Sequence, residues 1–366
     1  MQNKRKDEYD FVKGVLIMAV LMGHYNFLQW PTEIQSWGWN INETIYLFHM
    51  PLFFAVGVIF CKKFTLENLK KDALRILLPF FIYLWRPDFL FNPIESYHQI
   101  KSVLPRFLYG NHPHGTGILW YLPTIFLLKT WFSLFKKWED SNVGHKYLRI
   151  GFILLLSLVS ILNSSQLGEH DFFAKTPWGF YTSIYLFCLS YGIFQLDRWK
   201  RFQDSIRGPF VISILFGYLS MNLLSPQGVH RVDLAQFIVP HQLEYTLIWF
   251  VFLASLFLFL RNLGKRTGFI FSALKLCGYF SFPIFLYHEM FLGHFDRAWV
   301  IQGLQPSWLY LPLALLVICA TMVASIFLSE LLIALLPSLE WIGLCSHPSI
   351  RNWVQSKLIQ VQKLRS

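Results

Sequence analysis

Ten apolar runs separated by short polar loops leave this 366-residue chain few folds to choose from. They are centred on residues 11–29, 44–61, 75–92, 118–135, 148–163, 177–196, 209–224, 245–260, 271–292 and 309–337. A helix needs about 17–25 residues to cross hydrocarbon, and the runs are close to that length or, for the last, longer. The basic residues alternate with them. The N-terminus and the segments 62–75, 136–149, 197–208, 261–270 and 340–366 hold 23 of the 32 Lys and Arg, against 5 in the intervening loops. Cytoplasmic loops carry the positive excess. The pattern therefore predicts an all-α integral membrane protein of about ten transmembrane helices, both termini cytoplasmic. One polytopic domain is expected over 1–366. The third run is interrupted by WRPDF (85–89), and the charged MQNKRKDEYD does not read as a cleavable signal.

Composition supports this class. Only 14% of residues are charged, against about 25% in a soluble domain. The net charge of +11 sits in the expected inner loops, so no nucleic-acid partner is needed to explain it. The five cysteines (Cys61, Cys188, Cys277, Cys319, Cys345) are unclustered, and no His or Cys spacing reads as a metal site. No soluble domain or internal repeat is visible.

With orientation fixed, helical rise estimates depth. Lys13 falls near the cytoplasmic end of the first span and His24 about 16 Å further out, on the same stripe. His49, and His288 with Glu289, fall about five residues from the outer surface on the second and ninth spans. Arg86 and Asp88 approach that outer layer. Lys13, Lys70, Lys71, Arg75 and Lys275 form a cytoplasmic one. Intramembrane ionisable residues are costly and functional by default. A single intramembrane histidine is as readily an interhelical hydrogen-bonder, and lysines at a helix end as readily snorkel. Lys129 and Glu330 are expected to pair or to line a cavity.

These residues also carry a resemblance. DFVKGVLIMAVLMGH (10–24) resembles the first helix of membrane acyltransferase family 3, the multi-spanning O-acyltransferases of bacterial envelopes. The family's hallmark is a basic residue, ten residues, then His; here Lys13 and His24. FHMPLFFAVGVIF (48–60), LRILLPF (74–80), LWYLPTIF (119–126) and FPIFLYHEMF (282–291) are similar, in order, to its later helices. Lys13-Gly14 and FHMPLFF look closest to the fucose 4-O-acetylase-like branch. Departures are Lys13 in place of the commoner Arg, Val56-Gly57 where Ser-Gly is frequent, and a lone Arg75 where two arginines are often found.

The resemblance implies acetyl-CoA or another acyl-CoA as donor substrate, with no permanently bound cofactor, and a glycan acceptor on the outer side of a bacterial inner membrane. His24 would act as base or acyl carrier, with His288 or Glu289 orienting it or steadying charge. Lys13, Arg75, Lys70 and Lys71 would receive the donor's phosphates. His49, Arg86, Asp88 and Trp120 would lie on the acceptor side. The competing class is a secondary transporter with an intramembrane His/Arg/Asp site.

Overall fold

The computed structural model describes residues 7–25, 41–42, 44–84, 121–141, 151, 153, 180–198, 205–224, 243–298, 309–336 and 352. Among these residues the fold is all helical. The helices are α1 (Asp7–His24), α2 (His49–Ile59), α3 (Leu66–Asp72, Ala73–Leu77 and Leu78–Leu84 in succession), α4 (Tyr121–Ser141), α5 (Phe180–Arg198), α6 (Arg207–Leu224), α7 (Leu243–Leu263), α8 (Phe269–Tyr279), α9 (Ser281–Ala298) and α10 (Tyr310–Leu335). They occupy nine of the ten apolar runs. The fifth run is represented by Gly151 and Ile153 alone.

Among the described residues one helix, α10, is long and apolar enough to cross a membrane on its own. The ninth run was expected to be one straight span. Instead α8 and α9 meet at a 70° bend and would form a second span only as a broken pair. Pro283 is the physical reason. It has no N–H to give the Tyr279 carbonyl, and its ring presses on that carbonyl, so an uninterrupted helix cannot pass. Placed third in α9, proline costs nothing, because first-turn N–H groups lack helical partners anyway. Pro51, Pro209 and Pro312 hold the same third position in α2, α6 and α10.

Proline also shapes α3. Pro79 cannot bond the Arg75 carbonyl four residues back. The helix widens there into a π turn over Ala73–Leu77, with the Leu78 N–H reaching Ala73 O. Such turns are frequent at functional sites. The helix starts at Leu66, earlier than the expected span, behind a Thr65 cap whose hydroxyl accepts from the Asn68 N–H at 3.1 Å.

The chain divides into two compact units, Met1–Met50 with Leu263–Ser366, and Pro51–Asn262. In the second, Tyr121 of α4 stacks on Phe54 at 5.0 Å, and Phe132 packs among Phe187, Tyr191 and Phe194 of α5. Lys129 of α4 pairs with Asp72 at 2.6 Å, and this pair replaces the one with Glu330 considered from sequence. Arg261 of α7 is buried against Asp197 of α5 and bonds Asn262, which donates to Ser205 O at 2.7 Å.

The first unit is built on a contact of bare backbone. A Cβ added at Gly14 would coincide with the Leu274 carbonyl of α8, and one at Gly278 with the Asp10 carbonyl of α1. Phe11 and Phe271 pack beside this crossing with ring centroids 5.6 Å apart. α10 covers the same unit and is apolar outside and polar inside. Val323 is 66% exposed and Leu316 52%, whereas Thr321, Ser325, Ser329 and Glu330 are wholly buried. Gly14→Ala or Gly278→Ala should cost about 1–3 kcal/mol through overpacking. Each should lower the thermal midpoint of the purified protein. Gly151→Ala, with nothing within 4 Å of the new methyl, should not; equal midpoints for all three would contradict the contact.

Candidate active site

α1 and α9 both rise from the glycine crossing. Ten residues separate Gly14 from His24, a helical rise of about 15 Å, and ten separate Gly278 from His288 across the bend. The two imidazoles accordingly meet, with ring centroids 5.2 Å apart and ring planes 47° from parallel. The 70° bend at Phe280 comes two residues after Gly278, so α9 carries most of the path to His288.

The two rings differ in access. His24 ends α1 and is exposed, while His288 is completely buried. The His288 Nδ1 lies 2.7 Å from Phe285 O. A carbonyl only accepts, so Nδ1 carries the hydrogen, and Nε2 of the neutral ring is left as a lone-pair acceptor. That Nε2 is buried without a hydrogen-bond partner among the described residues.

His49 is placed by the turn that precedes α2. Its Nδ1 donates to Ile45 O at 2.7 Å, and the Tyr46 ring stands edge-on to it at 4.9 Å. The Tyr46 hydroxyl reaches Gly23 O at 3.5 Å. A Cβ on Gly23 would stand in ordinary van der Waals contact with Ile45, Tyr46 and Asn42, at 3.5, 3.6 and 3.8 Å, so the second run packs against the end of α1. Above them Tyr25, Ile41 and Tyr310 pack around the buried Ala314. Tyr46 and Asn42 were not singled out from sequence; the closeness of both to Gly23 is a tertiary fact.

The remaining expected residues are distributed as follows. Lys13 is ion-paired with Asp10 at 2.6 Å. Lys71 bonds the exposed Glu67 at 2.5 Å and so holds that carboxyl below its usual range. Lys70 and Arg75 are exposed, Arg75 in the middle of the π turn. Lys275 donates to Arg266 O. Glu289 follows His288 on α9, but its side chain lies outside the described residues, as do Arg86, Asp88 and Trp120. Among the described residues no group of three His, Cys, Asp or Glu has a metal-holding arrangement, and Cys61, Cys188, Cys277 and Cys319 are not joined in disulfides.

The arrangement offers an accessible imidazole next to a buried one with a fixed tautomer, a pair suited to nucleophilic or acid–base chemistry at one atom. Diethyl pyrocarbonate should therefore modify His24 in the folded protein and spare His49 and His288, read by peptide mass spectrometry. Modification of His49 or His288 as fast as His24 would contradict the difference in access.

Comparison with known proteins gives this geometry its chemical context. The family described as an acyltransferase domain, acyltransferase family 3, matches residues 6–330. The chain is 37% identical over 84 residues to nodulation protein NolL of Mesorhizobium japonicum, covering 21% of this chain and 22% of that one. It is 28% identical over 168 residues to nodulation protein NolL of Sinorhizobium fredii, covering 43% of each. The matches thus span less than half the length of either curated relative. No solved structure matches the chain. The family match spans nearly the whole chain and includes both members of the histidine pair: the protein belongs to acyltransferase family 3.

Proposed function

We propose that the protein is a multi-pass membrane O-acyltransferase, moving an acetyl or other acyl group from acyl-CoA to a hydroxyl of an envelope or exported glycan. The observation that carries the reading is the meeting of exposed His24 with buried His288, in a chain whose family performs acyl transfer. The same family match favours transfer over transport, the other class compatible with a broken helix.

The bilayer as solvent is supported by α10 and α6. Both turn apolar side chains outward, among them Val323, Leu316, Val211 and Tyr218, while Ser213, Ser220, Ser325 and Glu330 are buried. In water this distribution would be costly; in lipid it is the favoured one. The charge alternation supports ten spans with cytoplasmic termini, and membership of the acyltransferase family supports a bacterial inner-membrane location.

Coenzyme A carries its phosphates at the end remote from the thioester. Lys70 and Arg75 are exposed cations able to receive them. Lys13 is a third, once a phosphate competes with Asp10 for its ammonium. His24 then accepts the acyl group on a ring nitrogen, or takes the proton of the acceptor hydroxyl.

Membranes carrying the wild type should move label from acetyl-labelled acetyl-CoA into envelope glycans, whereas His24→Ala should lose at least about 100-fold of the rate with normal insertion. Equal incorporation by the two would reject His24 as the reacting residue. Arg75→Gln should raise the KM for donor by about tenfold, the loss of one charge-assisted phosphate contact. An unchanged donor KM would remove Arg75 from the donor site.

A further inference from the structure

A buried polar atom without a partner costs about 1–3 kcal/mol, so each one in a folded protein asks what it is for. Among the described residues these atoms are Asn42 Oδ1, Ser190 Oγ, Ser220 Oγ, His288 Nε2 and Thr321 Oγ1. The three hydroxyls sit inside helices, where an O–H can turn toward a carbonyl of its own helix. Asn42 Oδ1 and His288 Nε2 are different. Each is an acceptor that cannot donate, His288 Nε2 because its tautomer is set by the Phe285 carbonyl.

Both acceptors flank the same residue pair. Asn42 Oδ1 lies 3.8 Å from where a Cβ on Gly23 would stand, and the His288 ring is 5.2 Å from that of His24. All four residues belong to one compact unit. Two unpartnered acceptors near the end of α1, one by Gly23 and one by His24, can be met together by a ligand that brings two hydrogens on one rigid frame. Adjacent hydroxyls of a sugar ring meet that requirement.

We propose that Asn42 and His288 form the acceptor-alcohol cradle, and that the acceptor is a vicinal diol. Its reacting hydroxyl donates to His288 Nε2, and the neighbouring hydroxyl donates to Asn42 Oδ1. The inference rests on acyl transfer at His24 and divides the work between the two histidines. In the first step a ring nitrogen of His24 attacks the thioester carbon. The C–S bond breaks, and the thiol leaves with the proton from the other His24 nitrogen. In the second step the acceptor oxygen attacks the acyl carbon while its proton passes to His288 Nε2. The acyl C–N bond breaks with its electron pair returning to His24, and His288 hands the proton to that imidazole. Both rings end neutral, and the acyl group rests on the acceptor oxygen.

The test follows two half-reactions in the full-length protein in membranes, using acetyl-labelled acetyl-CoA and the envelope glycan fraction that the wild type acylates. Without glycan, wild type and His288→Gln should acquire label on the protein equally, within about twofold, which also shows that the variant folds. With glycan, His288→Gln should transfer that label at least about 100-fold more slowly. Asn42→Ala should self-label normally and raise the glycan KM by about tenfold with kcat within twofold, the loss of one hydrogen bond. Asn42→Asp keeps the acceptor oxygens and should restore most of the KM. The cradle is overturned if His288→Gln transfers like the wild type, if Asn42→Ala leaves the glycan KM unchanged, or if the wild type never carries label while remaining dependent on His24. A fully active His24→Ala would instead overturn the underlying acyl-transfer reading, so the two failures are distinguishable.

Discussion

The contact between Gly14 and Gly278 is the constraint on which the rest of the first unit depends. Small residues let two helix backbones approach closely, and here Gly14 lies against the Leu274 carbonyl while Gly278 lies against the Asp10 carbonyl. In a bilayer, where lipid is as apolar as leucine, burying alkyl surface does little to hold helices together. Close approach, with its dense van der Waals contact, does more. The crossing also works as a ruler. From it, α1 leads to His24 and the end of α8 with the first turns of α9 leads to His288, and the rings meet. Lys13 stands beside the same crossing, so one contact fixes the height of the cation and of the imidazole pair together.

Proline decides where the helices stop being regular, and each irregularity lies next to a functional candidate. Pro283 sets the bend below His288, Pro51 begins α2 at His49, and Pro79 opens the π turn around Arg75. In each case the lost hydrogen bond is local, and so is the effect. The result is a site assembled from helix ends. There, carbonyls such as those of Ile45 and Phe285 engage imidazole N–H groups and fix which nitrogen of each ring can react.

Much of this was legible before any coordinates. Length and hydropathy located the helices found among the described residues. The Lys13–His24 spacing, with FPIFLYHEMF, pointed to histidines at one depth and to the family. The bend was also written in the sequence, as Pro283, but depth counting assumed a straight span. It still gave the right neighbour for His24. The partners of Lys13, Lys71 and Lys129 were not legible to the same degree. Asp10 and Glu67 are one helical turn from their lysines, but Asp72 reaches Lys129 across 57 positions of chain. Asn42 was invisible for the same reason. Its significance is an unpartnered oxygen beside Gly23, and nothing in the local pattern INETIYLF marks it.

The most direct test of acyl transfer at this histidine pair is an experimental structure of the full chain with a non-hydrolysable acetyl-CoA analogue. The acyl carbon should lie against the exposed ring of His24, on the side shared with His288, with the phosphates at the Lys13 end of α1. An analogue whose acyl group rests away from both imidazoles would contradict the assignment of His24 and His288 as the reacting centre.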